Sequence, residues 1–389
     1  MNIMLRVNRK RLMDWLILIP FLYPKGFAEY SSSYKMFFTL WLYMAIIFIV
    51  VIALDYIAKN RVITNKCCKQ ILLYYTAMIV ITLLIRMSFL DGLQKMFAAP
   101  MLAVFMYVEL KTNPVDFIKS VNGVLMCSFI LGLTIFNPIF WSSMFNPENN
   151  HLFFWGHVQV GAQLGLMSIV FSYVEYKLFQ KCKKKKFIFS IALAVCVMLM
   201  SATSMSYMII TVLLIYTLLY EKIPLKWQGK NYVTLYVGLN VLLFCVITKL
   251  GPVLNIGNLS LNGRGFIWEK AIESFLKSPI WGYGVHGTLI QVFWSKWSGD
   301  GSGMNYMHNQ LLQVANDGGL ILLVLYVLMI YAVIDKIPNK RIKKRCGGFM
   351  LAVLVVMSFE SGLEYVYLLM ALILLSEIKN LLACKTIPQ

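Results

Sequence analysis

Long apolar runs recur along this chain too closely for a water-soluble fold. Taking about 17 to 25 apolar residues as one bilayer-crossing helix, runs stand near residues 12–24, 36–58, 70–86, 93–110, 115–137, 156–180, 187–202, 203–220, 231–250, 306–334, 346–362 and 363–380. That pattern predicts an all-α integral membrane protein with about twelve transmembrane helices. Composition agrees: 14% of the residues are charged and 59% hydrophobic, whereas a soluble domain carries about 25% charged residues. The whole chain, 1–389, is read as a single polytopic membrane domain.

The 36 Lys and Arg outnumber the 17 Asp and Glu, for a net charge of +19. In a soluble protein that balance would point to nucleic acid. Here the basic residues cluster between apolar runs, as the positive-inside bias requires, so no nucleic-acid partner is expected. With the N-terminus in the cytoplasm, three quarters of the Lys and Arg fall on the cytoplasmic side, which predicts that both termini are cytoplasmic. The first run follows Arg6, Arg9, Lys10 and Arg11 and contains Pro20 and Pro24. It resembles a signal peptide, but no A-x-A-like site follows and it is read as an uncleaved helix. The lysine run Lys183 to Lys186 needs no more than a topogenic role. The halves of the chain show no repeat, which counts against transporter folds built from duplicated bundles.

None of the eight cysteines has C-x-x-C spacing, and Cys67 and Cys68 fall in a basic loop. No cysteine lies in a loop on the oxidising side of the predicted topology, so no structural disulfide is expected. No His, Cys and carboxylate cluster has ligand spacing; no metal and no cofactor are expected.

The topology leaves one long interval on the outer side, 251–305. Within it Ile267, Trp268, Ala271, Ile272, Phe275 and Leu276 mark one face of a helix from Arg264 to Lys277. Asn262 suits the N-cap and Ser278-Pro279 the end. Glu269, Lys270, Glu273 and Lys277 lie off the stripe, so the helix should rest on the membrane surface or on the bundle. Arg264, in the first turn, and the orphan N–H groups there both favour an anion. A glycine-rich turn at Gly282, Gly284 and Gly287 follows, then Trp294 and Trp297, which suit stacking on sugar rings and equally suit an interfacial belt. His308-Asn309 opens the next membrane helix at the outer interface, where an imidazole can serve as a general base near neutral pH. Taken singly, His308 also fits a structural role, and Arg264 a helix-surface charge.

In combination, Arg264-x3-Trp268-x10-Pro279-x2-Gly282-x-Gly284 and His308-Asn309-x2-Leu312-Gln313-x5-Gly319 resemble the signature of the O-antigen polymerase and ligase superfamily (Wzy and WaaL), bacterial membrane glycosyltransferases. Gly156-His157-Val158-Gln159-Val160-Gly161 resembles the family's H-P-N-x-x-G element, without its Pro and with Gln159 for Asn. Ser201 to Ser206 stands in the place of T-G-S-R-G, with Met205 where the family has arginine.

The resemblance implies a GT-C-like fold in the bacterial cytoplasmic membrane, its catalytic loop 251–305 on the outer face. It implies a metal-independent polymerase joining undecaprenyl-pyrophosphate-linked repeat units for O-antigen, capsule or exopolysaccharide. Arg264 would stabilise the leaving pyrophosphate and His308 would take the acceptor hydroxyl's proton. Trp268, Asn309, Gln313, His157 and Gln159 would complete the substrate site. The family holds pyrophosphate with two arginines, so Arg86, Lys249 or Lys296 is needed for the second cation. Implied partners are the lipid-linked glycan donor and acceptor, membrane lipid, a chain-length regulator and a flippase. A ligase moving finished glycan to lipid A core is the alternative within the fold, and a lipid-oligosaccharide flippase the alternative from another class.

Overall fold

A computed structural model describes residues 9–29, 31–59, 62–85, 93–136, 152–177, 183–223, 229–246, 264–288, 290–291, 303–334 and 340–385. Its helices, in chain order, are α1 Arg9–Leu22, α2 Ser32–Ala58, α3 Lys66–Ile85, α4 Leu93–Thr112, α5 Pro114–Leu133, α6 Val158–Lys177, α7 Lys184–Met200, α8 Ser204–Leu218, α9 Gly229–Cys245, α10 Arg264–Lys277, α11 Gln310–Ile334, α12 Lys340–Phe359 and α13 Val366–Lys385. Two ladders of two residues a side complete the described structure: β1 Leu152–Phe153 with β2 Gly156–His157, and β3 Ile290–Gln291 with β4 Gly303–Met304. Among the described residues the remaining regular structure is helical, with single 3-10 turns at Lys25–Glu29, Tyr220–Lys222 and Gly362–Glu364.

A helix lies on each of the twelve apolar runs, and α10 is the amphipathic helix of the long loop. By length and composition, four of the described helices are long and apolar enough to cross a membrane: Ser32–Ala58, Lys66–Ile85, Pro114–Leu133 and the segment Gln310–Val333 of α11. Others fall short for visible reasons. The 14 residues of α1, 17 of α7 and 15 of α8 rise only about 1.5 Å each against a hydrocarbon core of about 30 Å, and α12 opens on Lys340, Arg341, Lys343, Lys344 and Arg345.

Caps explain where two helices begin. Ser31 accepts the Tyr34 N–H at the start of α2. Asn65 Oδ1 accepts the N–H groups of Cys67 (2.6 Å) and Cys68 (3.1 Å), so α3 begins inside the basic stretch. This corrects the loop expected for Cys67 and Cys68: they lie in the first turn of α3 and are buried.

The chain separates into two compact units, Met1–Ile63, Met101–Leu218 and Val366–Gln389 forming the first and Thr64–Pro100 and Leu219–Tyr365 the second. In the first, α6 is largely buried and packs against α5, α7, α8 and α13. Its Gly161 lets Ser201, at the break between α7 and α8, approach so closely that a Cβ would overlap the serine hydroxyl. The two outlying stretches that resemble family elements therefore meet, with Met205 buried just beyond. Ion pairs tie helix ends together: Lys10 to Glu109, Arg11 to Asp116, Lys186 to Glu175 and Lys111 to Glu377.

In the second unit α11 packs along α3 and against α9, α10 and α12. At the middle of this unit Tyr236 and Tyr326 hydroxyls meet at 3.1 Å. Asn240 donates to Ser358 Oγ at 3.0 Å.

Candidate functional site

The site is built on α10 and the start of α11. Ile267, Trp268 and Ala271 turn inward and pack with Met307 and Leu312, bordered by Leu243, Phe244, Ile272 and Phe359. The apolar stripe is thus seated on α9, α11 and α12 through its first two turns; at the far end Leu276 is 67% exposed. On the outward face Lys270 pairs with Glu273 at 2.8 Å. That hydrogen bond raises the lysine's pKa above its ordinary value.

Trp268 is fully buried and its Nε1 donates to the Met307 carbonyl at 3.0 Å. Gln313 Oε1 accepts the Met307 N–H at 3.0 Å. Held from both sides, Met307 delivers the chain to His308, which takes a left-handed conformation (φ 47°). A non-glycine residue there costs about 1 kcal/mol or more and persists where its surroundings fix it. His308 consequently stands before the helix, whose first residue is Gln310. Asn309 caps it, its Oδ1 accepting the Leu312 N–H at 3.1 Å.

Below this turn α11 is interrupted at Gly318 (φ −148°, ψ 20°) and Gly319 (φ 61°, ψ −157°). The interruption frees carbonyls, and the turn after α10 uses them: Tyr283 N–H donates to Asn316 O at 2.8 Å and Gly284 N–H to Asp317 O at 3.0 Å. In return the Leu320 N–H reaches Pro279 O at 2.8 Å. Gly282 has φ 65°, and a Cβ there would overlap Asn316 O. The proline and glycines of the paired motif are therefore the two halves of one backbone joint.

Around His308 the polar groups converge on a residue the sequence reading missed. Glu360, just past α12, is fully buried; its Oε1 takes the Arg264 guanidinium at 2.5 Å and its Oε2 lies 3.1 Å from His308 Nδ1. Tyr306 donates its hydroxyl to the same Oε2 at 2.9 Å. Its ring stands edge-on to the imidazole, centroids 4.6 Å apart. An acid at the end of an apolar run is costly unless paired, and that was the available signal.

Arg264, Trp268, His308, Asn309 and Gln313 are brought together in the second unit. Arg264 is the first residue of α10, as expected. Asn309 and Gln313 spend their polar atoms on the protein: Asn309 Nδ2 donates to Asn240 Oδ1 (2.7 Å) and Ser358 O (2.8 Å), and Gln313 Nε2 to Asp317 Oδ1 (3.1 Å). His157 and Gln159 belong to the first unit, His157 in β2 opposite Leu152 and Gln159 in the first turn of α6. Arg86, Lys249, Lys296 and Asn262 lie outside the described residues. No group of three or more His, Cys, Asp or Glu disposed to hold a metal occurs among the described residues.

No curated protein matches the chain. Residues 187–327 match the family model described as O-antigen ligase. They contain both halves of the motif and the Gly318–Gly319 joint but stop short of Glu360. Members of that family are glycosyltransferase-like enzymes that act on lipid-linked glycans at a membrane. On this match residues 187–327 are similar to the O-antigen ligase family, which agrees with the resemblance carried by the paired motif.

Proposed function

We propose that this chain is a membrane glycosyltransferase that polymerises undecaprenyl-pyrophosphate-linked oligosaccharide repeat units on the outer face of the bacterial cytoplasmic membrane. The observation that carries the reading is the convergence of Arg264 and His308 on one buried carboxylate. The twelve apolar helices cross the bilayer, both termini face the cytoplasm, and 251–305 with the head of α11 forms the catalytic region outside.

In the reaction an acceptor sugar hydroxyl attacks the anomeric carbon of the donor glycan. The new C–O bond forms as the bond to undecaprenyl pyrophosphate breaks, and the pyrophosphate leaves with the electron pair. With His308 Nδ1–H donating to Glu360, Nε2 is the basic nitrogen that takes the hydroxyl proton. Arg264 retains further N–H donors beyond the one on Glu360, and with the first-turn N–H groups of α10 it stabilises the leaving phosphate. Arg86, Lys249 or Lys296 supplies a second cation in place of the arginine that Met205 lacks. Trp268, Asn309 and Gln313 hold the reacting groups in place. The step needs no metal. A flippase supplies the lipid-linked units, and a chain-length regulator sets the product.

Arg264→Ala and His308→Ala should each abolish long glycan while leaving the protein in the membrane; normal chain lengths in both would refute the assignment. Ligase-type transfer to another acceptor is the second reading, favoured by the description of the matching family. A deletion strain that accumulates single repeat units supports the polymerase, and one that accumulates long chains on undecaprenyl supports the ligase.

A further inference from the structure

We infer that Glu360 is the positioning residue of the transfer centre, holding the imidazole of His308 in its reactive orientation while fixing Arg264 beside it. The inference rests on the roles just given to Arg264 and His308.

A fully buried carboxylate is unfavourable unless its lone pairs are engaged. Neutralising Arg264 would occupy one oxygen only. Glu360 divides its two oxygens, one for the guanidinium and one for the imidazole and the Tyr306 hydroxyl. That division ties the leaving-group end of the site to the base.

The backbone around Glu360 is fixed to the same turn that carries His308. Asn309 donates to Ser358 O, Ser361 Oγ donates to Gln313 Oε1 at 3.2 Å, and the Leu363 N–H donates to Gln310 Oε1 at 2.8 Å. The Glu360 N–H is itself satisfied by Val356 O at 2.9 Å. Imidazole and carboxylate are therefore presented by two segments stitched together on both sides, and the carboxylate cannot follow a shortened side chain. With Oε2 accepting from Nδ1–H, the ring is held in the tautomer that leaves Nε2 basic, and the same oxygen stabilises the imidazolium formed when the proton arrives.

The test uses the full chain purified into liposomes, with undecaprenyl-pyrophosphate-linked repeat unit isolated from a host strain lacking this protein. Turnover, KM for that donor and thermal unfolding are measured for wild type, Glu360→Gln, Glu360→Asp, Arg264→Ala and His308→Ala. Glu360→Asp is the variant safest for folding, because it keeps a buried carboxylate that the long Arg264 side chain can follow, while its oxygens draw back from His308, whose turn is held in place. In metal sites, loss of a carboxylate that orients a histidine lowers activity about 10- to 100-fold, and a loss of that order is expected here. The expected result is a kcat loss near the upper end of that range in Glu360→Gln and near the lower end in Glu360→Asp, with the donor KM and the Glu360→Asp melting temperature close to wild type. Wild-type turnover in Glu360→Asp, or losses that merely track the amount of folded protein, overturns the inference while Arg264→Ala and His308→Ala remain inactive. Wild-type turnover in both alanine variants instead overturns the reading of the site beneath it.

Discussion

A methyl group on Gly319 would overlap the carbonyl oxygen of Ile280. Two residues far apart in sequence thus make backbone contact, and the joint between the loop and α11 depends on that closeness.

Gly319→Ala is accordingly expected to destabilise the protein by more than the roughly 1–2 kcal/mol of a left-handed alanine alone, because the added carbon meets backbone. Thermal unfolding in detergent should show a lower midpoint, with Gly282→Ala behaving alike. Alanine at Lys277, an exposed side chain at the end of α10, serves as the control and should shift little.

Trp268→Ala empties the centre of the cluster under α10 and should cost about 3–5 kcal/mol. Trp268→Phe keeps a ring but loses the bond to Met307 O, about 1 kcal/mol. It should shorten glycan out of proportion to its small stability loss, since Met307 carries the chain into His308. Melting temperature and gel-resolved glycan length, measured on the same preparations, separate the two effects.

Asn309→Ala deprives Asn240 Oδ1 and Ser358 O of a donor in a buried setting. The expected loss is about 1–3 kcal/mol for each acceptor left unsatisfied. Asn309→Asp should be no better, because it presents oxygens to oxygens. A midpoint unchanged within error in both variants would contradict the capping geometry.

Cys67 and Cys68 are 1% and 3% exposed. A membrane-permeant maleimide should therefore label them slowly in native membranes and fully after denaturation in SDS. Prompt labelling under native conditions would instead place both cysteines in an open loop. Mass spectrometry of chymotryptic peptides, where both cysteines fall between Tyr56 and Leu72, reads the two sites.

The helices were legible because each apolar run is long and bounded by Pro, Gly or basic residues; α10 was legible because its stripe has a clear 3.6 period. Asn65 hid the start of α3, since a cap within a basic stretch reads as loop until its N–H partners are known. Arg264 and His308 were found through pattern. Glu360 was not: an acid at the end of an apolar run signals that a partner is needed, but its partners lie 96 and 52 positions away and the sequence does not name them. The structural use of Asn309 and Gln313 was equally hidden: a polar side chain at a helix head reads as available for ligand until the folded neighbours claim it.

The break at Gly318–Gly319 leaves the head of α11, Gln310 to Asp317, moored to the loop by backbone bonds rather than continuous with the remainder of the helix. Leu320, the first residue past the break, is itself bonded to Pro279 O, so the loop holds α11 on both sides of the glycines. The turn bearing His308 therefore owes its alignment to sideways anchorage, to α10 and to the residues around Glu360, and not to an unbroken helix beneath it.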